Sequence, residues 1–192
     1  YKFFYISPLL DEVKDGGRIQ QACPTTRFVS PQTSSENINV QHKRKIDHLL
    51  DLLQMGANIT CTHKLYLSMN QCHFEEMRKH DYVLIIDEEL GMIEDYKKYT
   101  APDVNSLIKL GCLEIQESDG MVLWCKDNLQ EFDDVNHTYH EFKRHVDNNM
   151  VYVSKRNHNM FVSQLPVKLI TVAKRVIVLT YMFEGNILSS FL

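Results

Sequence analysis

No stretch of the 192 residues is apolar for long enough to cross a bilayer; the longest runs, around Val83–Ile86 and Val176–Leu179, have the length of buried strands. Cysteine is scarce. The five, Cys23, Cys61, Cys72, Cys112 and Cys125, are odd in number, widely spaced and free of any C-x-x-C, which argues against a zinc ribbon and for reduced thiols in a cytosolic compartment. Positive charge is short as well: 21 Lys and Arg against 25 Asp and Glu leave a net −4, so nucleic acid would have to be met by local patches and not by a global field. No internal repeat or low-complexity tract is evident, and Gln32–Asn39 is a polar surface loop.

What is present suits a folded domain. Hydrophobic residues make up 44% and charged residues 24%, and the length allows one good-sized domain with an insertion. Apolar or β-rich runs predict core strands at Lys2–Ile6, Arg27–Val29, Asn58–Thr62, Tyr82–Asp87 and Arg175–Thr180. Between them, Leu9–Ala22 reads as a helix weakened at Gly16 and Gly17, and Val40–Met55 as a helix stopped by Gly56. Strands apolar on both faces that alternate with helices predict an α/β fold with a mostly parallel sheet covered on both sides. YKFFYI at the start reads as the middle of a core strand, and Leu192 follows closely on a strand-like run, so the expectation is a core incomplete at both ends.

From about 100 to 160 the alternation stops. Pro102 and Asp103 open a short helix to Leu110, and Leu113–Gln116 and Met121–Cys125 flank Ser118-Asp119-Gly120, a tight hairpin signal. A polar, His-rich helix over Asp134–Asp147 and a β-like piece at Met150–Ser154 follow. The expected organisation is a core of residues 1–99 and 161–192 with an inserted helix-plus-hairpin lobe at 100–160. His137, His140, Glu141 and His145 have metal-ligand spacing on that helix, but a solvated amphipathic face is the expected reading. The basic pieces His42–Lys45 and Lys155, Arg156 and His158 read as solvated faces too.

The sharpest chemical signal is the segment Tyr82–Leu90, in which a buried strand ends on Asp87 and Glu88. Such a strand end lies at the carboxyl edge of the sheet, where ligands collect. Three further strands end on polar groups: Ser7 after the first, Thr62 and His63 after the third, Thr180 and Tyr181 after the last. One sheet edge would gather them all.

In this order and spacing, Ser7-Pro8 with Asp11-Glu12, Gly56-Ala57-Asn58-Ile59-Thr60-Cys61-Thr62-His63, Asp87-Glu88 and Leu179-Thr180-Tyr181-Met182-Phe183-Glu184-Gly185 resemble phage-encoded helicases of superfamily 2, of the DEAD/DEAH-like kind. The resemblance covers most of the chain. It implies a RecA-like motor core, ATP and Mg²⁺ as cofactors, DNA as partner, and a host-cytoplasmic setting. Asp87 would hold Mg²⁺ through water and Glu88 would activate the attacking water; Thr180 and Tyr181 would couple the nucleotide site to the nucleic-acid groove. Ser7, Pro8, Thr62 and His63 would lie on the nucleic-acid side.

One departure is large. None of the seven glycines precedes Lys-Ser or Lys-Thr, so the chain holds no G-x-x-x-x-G-K-[ST] loop to cradle phosphates. The resemblance places that loop upstream of Tyr1 and a second motor domain beyond Leu192. It also puts Arg175–Thr180 beside Tyr82–Asp87 with its far edge bare. The alternatives are a phage terminase-type packaging ATPase, or a non-catalytic nucleic-acid or protein interaction domain that has lost its phosphate loop.

Overall fold

Phe4, Tyr5 and Ile6, and Tyr82, Val83, Leu84 and Ile86, are all buried, so consecutive side chains on both faces of their strands are covered. That is the condition of a parallel sheet's interior. In the computed structural model, which describes residues 1–88, 90, 93–95, 101–125, 138–153 and 161–180, the strands are β1 (Lys2–Ser7), β2 (Phe28–Val29), β3 (Asn58–Thr62), β4 (Tyr82–Asp87), β5 (Ile93–Asp95), β6 (Leu113–Ile115), β7 (Val122–Trp124), β8 (Val151–Val153), β9 (Phe161–Gln164) and β10 (Arg175–Leu179). The helices are α1 (Leu10–Val13), α2 (Arg18–Ala22), α3 (Lys45–Gln54), α4 (His63–Leu67), α5 (Gln71–Lys79), α6 (Ala101–Lys109), α7 (His140–Asp147) and α8 (Lys168–Thr171). Two units divide the chain: Tyr1–Leu90 with Val167–Leu192, and Gly91–Pro166.

The first unit is an α/β layer built on one five-stranded sheet in the order β10-β4-β1-β3-β2, every neighbour parallel. All five strands expected from the sequence are there. The expected helix over Leu9–Ala22 is broken into α1 and α2 at Lys14–Gly17, around the two glycines that weaken it. Helix α3 starts at Lys45 and not at Val40, because the residues before it are held as loop: Ser34 donates to the His42 carbonyl at 2.7 Å and Val40 to that of Asn37 at 3.0 Å. Leu49, Leu52 and Leu53 form its buried stripe at helical spacing. Its end is a Schellman arrangement: Gly56 donates to Leu53 at 2.9 Å and Ala57 to Leu52 at 3.0 Å, with Gly56 at φ 62°.

Helix α5 opens with a capping box between Asn70 and His73 and packs Phe74 and Met77 inward against the sheet layer's α3 side. Buried hydroxyls find carbonyls. Tyr66, edge-on to Phe4 at 5.2 Å, donates to Leu169, and Tyr82 donates to Ala57 at 2.6 Å. β10 docks on β4 from Arg175↔Val83 to Leu179↔Asp87, and Lys174 anchors its start through the Tyr82 carbonyl and the Asp81 carboxylate. Among the described residues no strand pairs with the other edge of β10, where Leu179 is 47% exposed.

The second unit holds the antiparallel sheet β5-β9-β8, the hairpin β6–β7, and helices α6 and α7. Leu113, Val122, Trp124, Phe142, Val151 and Phe161 share its core. β5 and β9, which the sequence reading leaves with the core segments 1–99 and 161–192, belong to this unit because they pair with each other, Ile93↔Gln164 to Asp95↔Val162. The hairpin differs from expectation. Its loop is Glu117–Gly120, closed by Gln116 donating to Met121 and Gly120 to Gln116, each at 2.8 Å. Only Gly120 (φ 82°) is left-handed; Asp119 instead accepts from Met121 N at 3.0 Å. Gly120 is required there because a Cβ would stand 2.7 Å from the Val153 carbonyl oxygen. The expected helix over Asp134–Asp147 is described from His140 onward; His137, Lys155, Arg156 and His158 lie outside the described residues.

Two outcomes follow. Gly56→Ala places a side chain in a left-handed conformation and 2.9 Å from the His80 ring, so it lowers stability in urea unfolding by about 1–2 kcal/mol. Unpaired among the described residues, the outer edge of β10 is expected to make the 192-residue chain self-associate with concentration in sedimentation velocity, and Leu179→Lys to reduce that association. Identical concentration dependence in the variant would remove the edge as the cause.

Candidate functional site at the carboxyl edge of the sheet

Parallel pairing puts the carboxyl ends of the strands on one edge. Ser7 pairs with Thr62, Ile6 with Ile86 and Leu179 with Asp87, so the ends of β1, β3, β4 and β10 stand level. Thr180 follows directly, half-buried, and Pro8 is exposed beside Ser7. Tyr181 and the rest of its motif, like Glu89, lie outside the described residues.

The two carboxylates at the end of β4 have different surroundings. Asp87 is half-buried; Glu88 is exposed and turns the chain out of the strand at φ 63°, a left-handed conformation that non-glycine residues rarely hold. The Glu88 amide donates to the Leu179 carbonyl at 2.9 Å, which fastens this turn to the end of β10.

Under the edge lies a polar group that no motif announced. Tyr5 is opposite Ile85, so Asp87 is its diagonal neighbour on the same sheet face. Burial raises the Tyr5 phenol well above its ordinary range, and hydrogen bonding to Asp87, then the charges of Asp87 and Glu12, push the same way against the pull of Arg18. The phenol is therefore a standing donor. Ser7 is fully buried, and its hydroxyl donates to Glu12 Oε2 at 2.8 Å; Glu12 Oε1 meets Arg18 Nη2 at 2.6 Å. Ser7, placed on the nucleic-acid side by the sequence reading, has its hydroxyl turned inward to Glu12.

Thr62 and His63 sit where a strand becomes a helix. The Thr62 hydroxyl caps α4 by accepting from Leu65 N at 3.3 Å. His63 begins that helix with its ring among the backbone carbonyls of Asp87 and Ile6 and the carboxylates of Asp87 and Glu88. Burial lowers its pKa in spite of those acceptors, and its Nε2 is buried without a partner. The ring is thus neutral near pH 7 and lies within electrostatic reach of both carboxylates.

The structure gathers Asp87, Glu88, His63 and Ser7 within one layer, with Thr180 at its margin. Tyr5 and Arg18 are the members that sequence reasoning missed, and Glu12, read there only as an acidic residue after Ser7-Pro8, gains its place through Ser7 and Arg18. Alternation along β1 puts Tyr5 on the face of Ser7, which was a usable signal; Arg18 belongs to no pattern and reaches Glu12 only because α1 and α2 fold back together. A surface hollow of ≈ 330 Å³ lined by Glu75, Arg78 and Lys79 lies at the end of α5, beside the start of β4 and so away from this edge.

No protein-family model, curated protein or solved structure matches this chain.

Mg²⁺ takes hard oxygen ligands and commonly uses one or two carboxylates, with water and substrate phosphate completing the shell. Asp87 and Glu88 fit that part of the demand, and among the described residues no group of three His, Cys, Asp or Glu forms a self-sufficient metal site. No G-x-x-x-x-G-K-[ST] loop that would cradle phosphates occurs within the 192 residues.

His63 sets a pH dependence. Its folded pKa lies below the ordinary 6.5, so in the interval between the two values the unfolded chain binds more protons and stability rises with pH. His48 and His73, lowered first by burial, act in the same direction. Urea unfolding is expected to show stability falling as pH drops from about 7.5 to about 5.5, and His63→Gln to make that fall shallower, with His48 and His73 supplying what is left of it. A fall unchanged in the variant would mean that His63 titrates alike in both states.

Proposed function

We propose that this chain is part of the first motor domain of a helicase-type ATPase, which couples Mg-ATP hydrolysis to movement along DNA. The observation that carries the reading is the pair Asp87 and Glu88 at the end of a buried parallel strand, level with the ends of β1, β3 and β10. The order of the four motifs on those strand ends supports it.

Asp87, half-buried and oriented by the Tyr5 phenol, is the group to hold Mg²⁺, through water. The ion, when bound with ATP, supplies charge neutralisation on the phosphates. Glu88, exposed at the strand end, would orient an attacking water and take its proton. His63 stays neutral beside both and leaves their negative charge uncancelled.

Coupling has a physical route in this arrangement. The Glu88 amide hangs on the Leu179 carbonyl, and Thr180 is the next residue. A shift of the Thr180 segment on contact with DNA would move the backbone of the water-orienting residue. Pro8 is exposed at the same edge, and on this reading it would lie on the nucleic-acid side with Thr62 and His63 of the β3–α4 junction. The β10 edge is where the strand feeding a phosphate loop would add, and DNA contacts would rest on local patches given the net charge of −4.

In the protein with a phosphate-binding loop supplied ahead of Tyr1, Glu88→Gln lowers DNA-stimulated turnover by about 10²–10⁴-fold while ATP binding persists. Asp87→Ala weakens Mg²⁺-dependent nucleotide binding as well as turnover. Undiminished hydrolysis by Glu88→Gln would refute the assigned role, and equal Mg-ATP affinity in Asp87→Ala would refute the other.

A further inference from the structure

All five cysteines are free thiols, and two of them face each other. Leu113 pairs with Trp124, so Cys112 and Cys125 are the next opposed residues at the mouth of the hairpin, and Cys125 N donates to the Cys112 carbonyl at 2.9 Å. Opposed residues of an antiparallel pair send their side chains to the same face, with Cβ atoms about 4.5–5.5 Å apart. A hydrogen-bonded pair has Cα atoms about 5.5 Å apart, inside the window of about 4.4–6.8 Å that a disulfide spans. A disulfide needs Cβ atoms about 3.5–4.5 Å apart, so closing the bridge draws the two strands slightly together at the open end of the hairpin.

Access differs between the two. Cys112 has no exposed surface, whereas Cys125 is half-buried. Burial, and then the nearby Cys125, raise the Cys112 thiol. Cys125 is therefore the sulfur that an oxidant meets first, and Cys112 is the resolving thiol held opposite.

We propose that Cys112 and Cys125 form a redox-responsive dithiol site that hydrogen peroxide closes into a disulfide across the mouth of the β6–β7 hairpin. The Cys125 thiolate attacks one peroxide oxygen; the O–O bond breaks, hydroxide leaves, and a sulfenic acid forms. The Cys112 sulfur then attacks the Cys125 sulfur, the S–S bond forms, the S–O bond breaks, and water departs with the thiol proton. Two thiols lose two electrons, and peroxide becomes two waters. The bridge would tie the turn after α6 to the strand that leaves the hairpin, and a dithiol reductant would reopen it.

The site stands independently of the ATPase reading and is tested on the full 192-residue chain. The chain is treated with hydrogen peroxide, alkylated under denaturing conditions and cleaved after lysine and arginine, which releases Leu110–Lys126 with both cysteines in one peptide. The expected peptide is two hydrogens lighter, takes no alkyl group, and regains two on reduction. Cys125→Ser, at a half-buried position, should leave Cys112 fully alkylatable after the same treatment. Recovery of Cys112 as a free thiol with Cys125 as a sulfinic acid, or linkage of either to Cys23, Cys61 or Cys72, would overturn the proposal.

Discussion

Burial of β4 on both faces, between β1 on one side and β10 on the other, is the constraint from which the first unit follows. Tyr82, Leu84 and Ile86 have no exposed surface, and their strand is hydrogen-bonded along both edges. A strand so enclosed cannot slip by one residue without turning its neighbours' apolar sets to the wrong face. Its register therefore fixes where Asp87 and Glu88 emerge, and the same ladder fixes Ser7, Thr62 and Leu179 beside them. Side chains of each strand add about 1.5–3 kcal/mol apiece when fully buried, which gives the arrangement its rigidity.

Polar groups beneath that edge are matched in a chain. Tyr5 is oriented to Asp87, Ser7 donates to Glu12, and Glu12 is closed by Arg18. An unmatched buried donor or acceptor costs about 1–3 kcal/mol, so these contacts define a single orientation for each group. His63 Nε2 is the exception, buried and without a partner next to two carboxylates. The left-handed Glu88 is a second local tension at the same place, held by the bond from its amide to Leu179. Local strain and unmatched polarity concentrated at one edge are common where a protein does chemistry.

The second unit uses a different rule. Its strands are short and antiparallel, and its core is made by alternate residues such as Leu113, Val122, Trp124 and Val153. The hairpin loop is set by its neighbour: Gly120 accepts Val153 N at 2.8 Å through its carbonyl, and only a residue without Cβ allows that approach. Tertiary proximity, not the preference of an Asp-Gly pair for a two-residue turn, decided the loop.

The sequence by itself determined the parallel strands, the break near Gly16 and Gly17, and the stop at Gly56, because unbroken apolar runs and a left-handed helix end are local properties of the chain. It also placed Asp87, Glu88, Thr62 and Ser7 at strand ends, since strand length and polarity are read residue by residue. The RecA-like reading of that layer rests on motif order and remains part of the proposal. Tertiary structure alone decided the rest. Pairing of β5 with β9 depends on residues nearly seventy positions apart, and three-residue strands carry too little periodicity to declare themselves. Ser7 turned from the surface toward Glu12, His63 came within electrostatic reach of the carboxylates, and Tyr5 and Arg18 joined the site for a common reason. Each is defined by what lies across the sheet or in the next helix, and a linear pattern records only what lies alongside in the chain.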